Sequence, residues 1–97
     1  MVINVKVRFL GILRQFSGKN QVLVKLEKSP TVRKTIEKLA EGFSSEFKRT
    51  LVDPELEDPR PNALVFVNGK EISVLDGLET EVKDGDEIVL VPVSHGG

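Results

Sequence analysis

Three features of the sequence predict an α+β domain, a mixed and largely antiparallel sheet with one main helix packed on one of its faces. Residues 2–9 and 22–26 alternate apolar and polar in the manner of a hairpin. Residues 32–43 carry apolar side chains at spacings of three and four, and two later runs, 63–67 and 88–93, are apolar at nearly every position. That order, hairpin then helix then strands, leaves four to five strands around one helix in a single domain of 97 residues.

In the first strand Ile3, Val5, Val7 and Phe9 share one face, with Asn4, Lys6 and Arg8 on the other. From Leu10 to Phe16 the period breaks, and Ile12, Leu13 and Phe16 fit one side of a single helical turn that Ser17-Gly18-Lys19-Asn20 ends, so a turn-like connection is expected. Val22, Val24 and Leu26 then mark a second strand antiparallel to the first. Ser29-Pro30-Thr31 offers an N-cap hydroxyl and a proline suited to a first helical turn, followed by Val32, Ile36, Leu39, Ala40 and Phe43 on one helix face. Gly42 breaks that helix, and Ser44 caps a shorter one containing Phe47 and Leu51.

Residues 52–62 hold three prolines and four acids, which predicts an irregular surface excursion. Asn68-Gly69 supplies a two-residue hairpin turn after the 63–67 strand, with residues 70–73 returning as a short strand. Leu75-Asp76-Gly77-Leu78 makes another turn, and Asp84-Gly85-Asp86 leads into the last strand. Two apolar faces suit a central strand, so the first and last strands are expected to be neighbours. Pro92 lacks an N–H, so lateral pairing should weaken there and let the chain leave the sheet. One helix covers only one face, so the other should display an oily patch, a candidate protein interface.

Composition narrows the function. Fourteen basic residues against 15 acids leave no excess of positive charge for neutralising phosphates, which argues against nucleic acid as a partner. Without cysteine there are no disulfides, thiolate nucleophiles or cysteine-based metal sites, and one histidine with scattered acids makes no metal site either. No run approaches the ~18 apolar residues of a membrane span, and the N-terminus lacks a signal arrangement. A cytoplasmic protein whose mature and encoded chains coincide is expected.

The chain ends Val93-Ser94-His95-Gly96-Gly97. Two terminal glycines arise by chance in roughly one chain in two hundred. Lacking Cβ atoms, Gly96 and Gly97 would let the walls of another protein close on the backbone. Residues 94–97, extended, reach about 13 Å. A terminal carboxylate with a pKa of about 3.5 is ionised at neutral pH and is a poor electrophile until its charge is removed. The organisation expected is therefore a folded domain, residues 1–93, holding out a flexible tail, residues 94–97.

Phe66-Val67-Asn68-Gly69-Lys70, Lys83-Asp84-Gly85-Asp86-Glu87-Ile88 with Pro92, and Gly96-Gly97, in this order of elements, resemble the β-grasp sulfur carriers of the molybdopterin-synthase small-subunit type, relatives of the thiamine sulfur carrier and of ubiquitin. The resemblance spans nearly the whole chain. It implies a ubiquitin-like β-grasp and an E1-like activating enzyme that uses ATP to adenylate Gly97, after which sulfur replaces AMP to give a C-terminal thiocarboxylate. Gly96 would keep the approach narrow. The large subunit of molybdopterin synthase would then use that sulfur to build the dithiolene, with no cofactor bound by this chain. The family also places Phe66 and Val91 on a partner-docking sheet face, and strand alternation adds Leu64 and Val93. Arg14 stands where the family's first loop often carries arginine and would pair with an acidic partner, a solvated arginine being the plain alternative. His95 replaces the usual small residue and would tune entry to the activating enzyme or simply be solvated. The 52–62 loop is longer than in compact members.

Two rival readings share these residues. A ubiquitin-like modifier would pass activated Gly97 to lysines of target proteins, and a plain β-grasp interaction module would leave the tail inert. Thiamine synthesis or tRNA thiolation would require the same tail.

Overall fold

The computed structural model describes residues 2–93. Five strands form one sheet in the order β2-β1-β5-β3-β4, with β1 Ile3–Phe9, β2 Gln21–Leu26, β3 Ala63–Val67, β4 Lys70–Glu71 and β5 Glu87–Pro92. β1 and β5 run parallel at the centre, and the other neighbours are antiparallel. This is the expected mixed sheet, with first and last strands adjacent.

Among the described residues there are three α-helices, α1 Gly11–Ser17, α2 Val32–Gly42 and α3 Ser45–Leu51. The inward alternation of β1 buries Val5, Val7 and Phe9, and β5 buries Ile88 and Leu90 against Ile36 and Leu39 of α2 in a common core. Phe9 anchors the join between β1 and the helices. Its ring meets Phe43 edge-on at 5.7 Å and Phe47 at 5.3 Å. Aromatic pairs of this geometry add about 0.5–1.5 kcal/mol each to the burial itself.

Several local expectations change. The connection after β1 is α1, a helix of seven residues and not a single turn, ended by Gly18 in the left-handed conformation with its N–H bonded to the Arg14 carbonyl. Only Leu13 of that segment is buried, while Ile12 and Phe16 face outward one turn apart. Thr31 supplies the capping hydroxyl of α2, accepting from the Lys34 N–H, and Pro30 stands before the helix and not in its first turn, its carbonyl taken by the Val82 N–H. Ser44 caps α3 as expected, accepting from the Phe47 N–H. β4 stops after two residues and turns into a 3-10 segment, Ile72–Val74, that sinks Ile72 into the core.

Residues 52–62 contain no helix or strand, yet side chains organise them. Asp53 accepts from the N–H groups of Glu55 and Leu56, Asp53 bridges to Asp58, and Pro59 is buried. Asp58 in turn takes a two-pronged ion pair from Arg60, whose hydrogen bond holds the Asp58 carboxyl below its ordinary value of 3.8. Among the described residues no helix is long and apolar enough to cross a membrane.

Candidate functional site

The end of β5 is where the fold meets the C-terminus. β3 and β5 pair with Leu64 opposite Val91 and Phe66 opposite Val89. Because Ala63, Val65, Val67, Ile88 and Leu90 point into the core, those four must point the other way, onto the face that no helix covers. Leu64 is 42% exposed, and Phe66, Val89 and Val91 are half-buried by one another. The strip runs along the paired strands β3 and β5. Val93 is half-buried at its end, its N–H donating to the Asn62 carbonyl at 3.0 Å.

That last bond corrects the expectation for Pro92. Pairing with β3 continues through Pro92, opposite Ala63, to Val93. The N–H that proline lacks faces the β1 side, where the ladder has already ended at the bond from Leu10 N–H to the Leu90 carbonyl. No hydrogen bond is lost, and the chain parts from β1 alone. Gly11 makes room there: at φ +54 it starts α1 beside β5, and a Cβ on it would stand 3.2 Å from Pro92 Cγ.

The opposite end of β5 is welded in place. The Asn68 amide donates to Asp86 Oδ1 and its oxygen accepts from the Glu87 N–H, while Asp86 Oδ2 accepts from the Lys83 N–H. Asp84 accepts from the Asn4 N–H at 2.7 Å, tying the same turn to the start of β1. Asn68 and Gly69 both hold the positive φ that their two-residue turn requires. These bonds fix the register that puts Val89 and Val91 outward.

Charge divides the open face. On β1 its outward residues are Asn4, Lys6 and Arg8, with Glu87 of β5 at 3.7 Å from Lys6 and 4.0 Å from Arg8. Exposed pairs of this kind are worth at most about 1 kcal/mol. Arg14 lines a cleft with Lys6, Arg8, Asn20 and Gln21, so it extends the basic half and does not join Leu64 and Phe66. Phe66, Val91, Leu64 and Val93 are thus brought together. Gly96, Gly97 and His95, and with them the expected free tail, lie outside the described residues. Sequence reasoning missed Val89, which the same alternation that found Val91 would have given, and Gly11, whose need for a positive φ leaves no periodic signal.

A family model described as the ThiS family matches residues 7–97. The chain is 27% identical over 92 residues to small archaeal modifier protein 3 of Haloferax volcanii, covering 95% of this chain and 97% of that one. Among solved structures it is similar to small archaeal modifier protein 1 of Methanosarcina acetivorans, with a TM-score of 0.82 at 26% identity over 100% of this chain and 99% of that one. It is also similar to a putative molybdopterin converting factor, subunit 1, of Pyrococcus furiosus, with a TM-score of 0.74 at 25% identity, covering 95% and 99%. Sheet order, turn chemistry and these likenesses agree: the chain belongs to the ThiS family, ubiquitin-like β-grasp sulfur carriers.

Proposed function

We propose that this protein carries sulfur on Gly97 for formation of the molybdopterin, or tungstopterin, dithiolene, as the small subunit of a molybdopterin synthase. The observation that carries the reading is the position of the apolar strip: Leu64, Phe66, Val89 and Val91 sit on two paired strands immediately before Val93, four residues from the terminal Gly97. Extended, residues 94–97 reach about 13 Å beyond Val93, so a partner gripping the strip can also take Gly97. The likeness to the Pyrococcus converting-factor subunit supports the choice of acceptor.

The chemistry follows from the charge of the carboxylate. An E1-like enzyme lets a Gly97 carboxylate oxygen attack the α-phosphorus of ATP, with pyrophosphate leaving. The resulting mixed anhydride is neutral at the acyl carbon and carries a good leaving group, so a sulfide equivalent displaces AMP and gives the thiocarboxylate. Gly96 leaves space for the enzyme's walls to exclude water from that anhydride. The large synthase subunit then takes the sulfur.

The similarity to small archaeal modifier protein 3 favours a second reading, in which a lysine amine of a target protein attacks the same acyl group and leaves an isopeptide bond. Intact mass spectrometry of the chain from its own cells separates them. Replacement of one terminal oxygen by sulfur supports the carrier, and C-terminal remnants of this chain on lysines of other proteins support the modifier. A tail that stays an unmodified carboxylate in cells making the cofactor overturns both.

A further inference from the structure

β2 is one edge of the sheet, and its outward groups can be assigned. The Phe9 N–H bonds to the Asn20 carbonyl, so by antiparallel alternation Val22, Val24 and Leu26 turn their main-chain groups toward β1. Those of Gln21, Leu23 and Lys25 then turn out. The amine of Lys38 confirms the direction, since it reaches across from α2 to the Lys25 carbonyl at 2.6 Å. Lysines commonly blunt such edges. Here the clip closes one end only, and the outward groups of Gln21 and Leu23 have no partner among the described residues.

Beside that edge runs a groove between β2 and the end of α2, walled by Val22, Val24, Leu39 and Phe43 with Lys25 and Lys38 at its border. No acid lines it. Gly42 forms part of the floor, and a Cβ there would meet nothing within 4 Å. On the other side of the edge Leu23 stands 68% exposed. The geometry therefore offers main-chain donors and acceptors, an apolar slot for alternate side chains, and positive charge at the rim.

We propose that this edge binds an extended peptide segment of another protein, apolar at alternate residues and acidic at its flanks, as an added strand beside Gln21–Leu23. The acidic stretch of this chain, residues 53–58, does not supply that segment, because it is interrupted by Pro54 and held by the Asp53 to Asp58 bridge. The edge is separate from the strip around Phe66 and Val91, lying two strands away from β5 and on the helix side, so a carrier docked through its tail could hold a second protein at once.

The test is a titration of the full, ¹⁵N-labelled chain with the synthetic peptide Asp-Glu-Val-Val-Val-Asp-Glu, followed by amide shifts and hydrogen exchange. Expected are shifts centred on Gln21, Leu23, Lys25 and Gly42, with slowed exchange at the Leu23 N–H. Leu23→Pro removes one outward donor without touching the ladder to β1, a substitution edge strands tolerate, and should weaken binding at least tenfold. Gly42→Trp, which fills the groove, should do the same in a protein whose spectrum is otherwise unchanged. A peptide with lysine flanks should bind at least tenfold more weakly, and deletion of Gly97 should change nothing. Absence of binding at about millimolar peptide, shifts centred on Phe66 and Val91, or equal binding by Gly42→Trp would each overturn the proposal. None of these outcomes bears on the sulfur chemistry, which is read on the mass of the tail.

Discussion

The two faces of β3 and β5 are built from the same kinds of residue and do different things. Inward, Ala63, Val65, Val67, Ile88 and Leu90 are buried under the helices, while outward, Leu64, Phe66, Val89 and Val91 keep part of their surface in water. Alternation along the strands assigns the faces, and helix placement decides which becomes core. Apolar side chains on the first face hold the fold together, whereas those on the second are available to a partner.

The sharpest way to break that contrast is to substitute neighbours in one strand. Leu90→Ala should cost about 2–5 kcal/mol of unfolding free energy, since Leu90 is fully buried, and should leave activation of the tail intact at temperatures where the domain stays folded. Val91→Asp, one residue on, should cost about 1 kcal/mol or less by denaturant titration while weakening partner binding. If Val91→Asp proved as destabilising as Leu90→Ala, the open face would be core after all.

A smaller effect is expected where the two faces meet the exit of the chain. Gly11→Ala combines a left-handed backbone with a Cβ at 3.2 Å from Pro92 Cγ, and should lose about 1–2 kcal/mol. Activation should fall with it if the position of Pro92 and Val93 matters for delivery of the tail. The smallest expected effect lies away from both faces. Asp58 titrates below 3.8 in the folded protein because Arg60 bonds to it, so its contribution is present above that value and disappears as pH falls through the folded pKa. Arg60 is about half exposed, which limits the pair to a few tenths of a kcal/mol. Asp58→Asn should therefore lower the melting temperature slightly at pH 7, with the difference shrinking as the pH is taken below 3.8, as a pH series of melting curves would record.

Much of this was legible in the sequence because it depends on period. The alternation of Ile3, Val5, Val7 and Phe9, the spacing of Val32, Ile36 and Leu39, and the Asn68-Gly69 turn each specify their element locally. What escaped depends on contacts distant in sequence. Pro30 stands outside the first turn of α2, and its carbonyl accepts from the N–H of Val82, fifty-two residues on. The 52–62 segment read as irregular because its bonds follow no period: the Asp53 and Asp58 side chains accept from the N–H groups of Glu55, Leu56 and Arg60, while the Asp53 N–H donates to the Asp58 carbonyl. For the site, Leu64, Phe66 and Val91 followed from alternation and resemblance, but their apolar strip and the basic row of Lys6, Arg8 and Arg14 separated only once strand order was known.

Division of labour between a gripping face and a reacting tail is tested most directly by steady-state ATP–pyrophosphate exchange with the cognate activating enzyme, comparing the native chain with Val91→Asp. KM for the carrier should rise at least tenfold with kcat within about twofold, because the substitution weakens docking and leaves the carboxylate unchanged. An unchanged KM for a correctly folded Val91→Asp chain would contradict it.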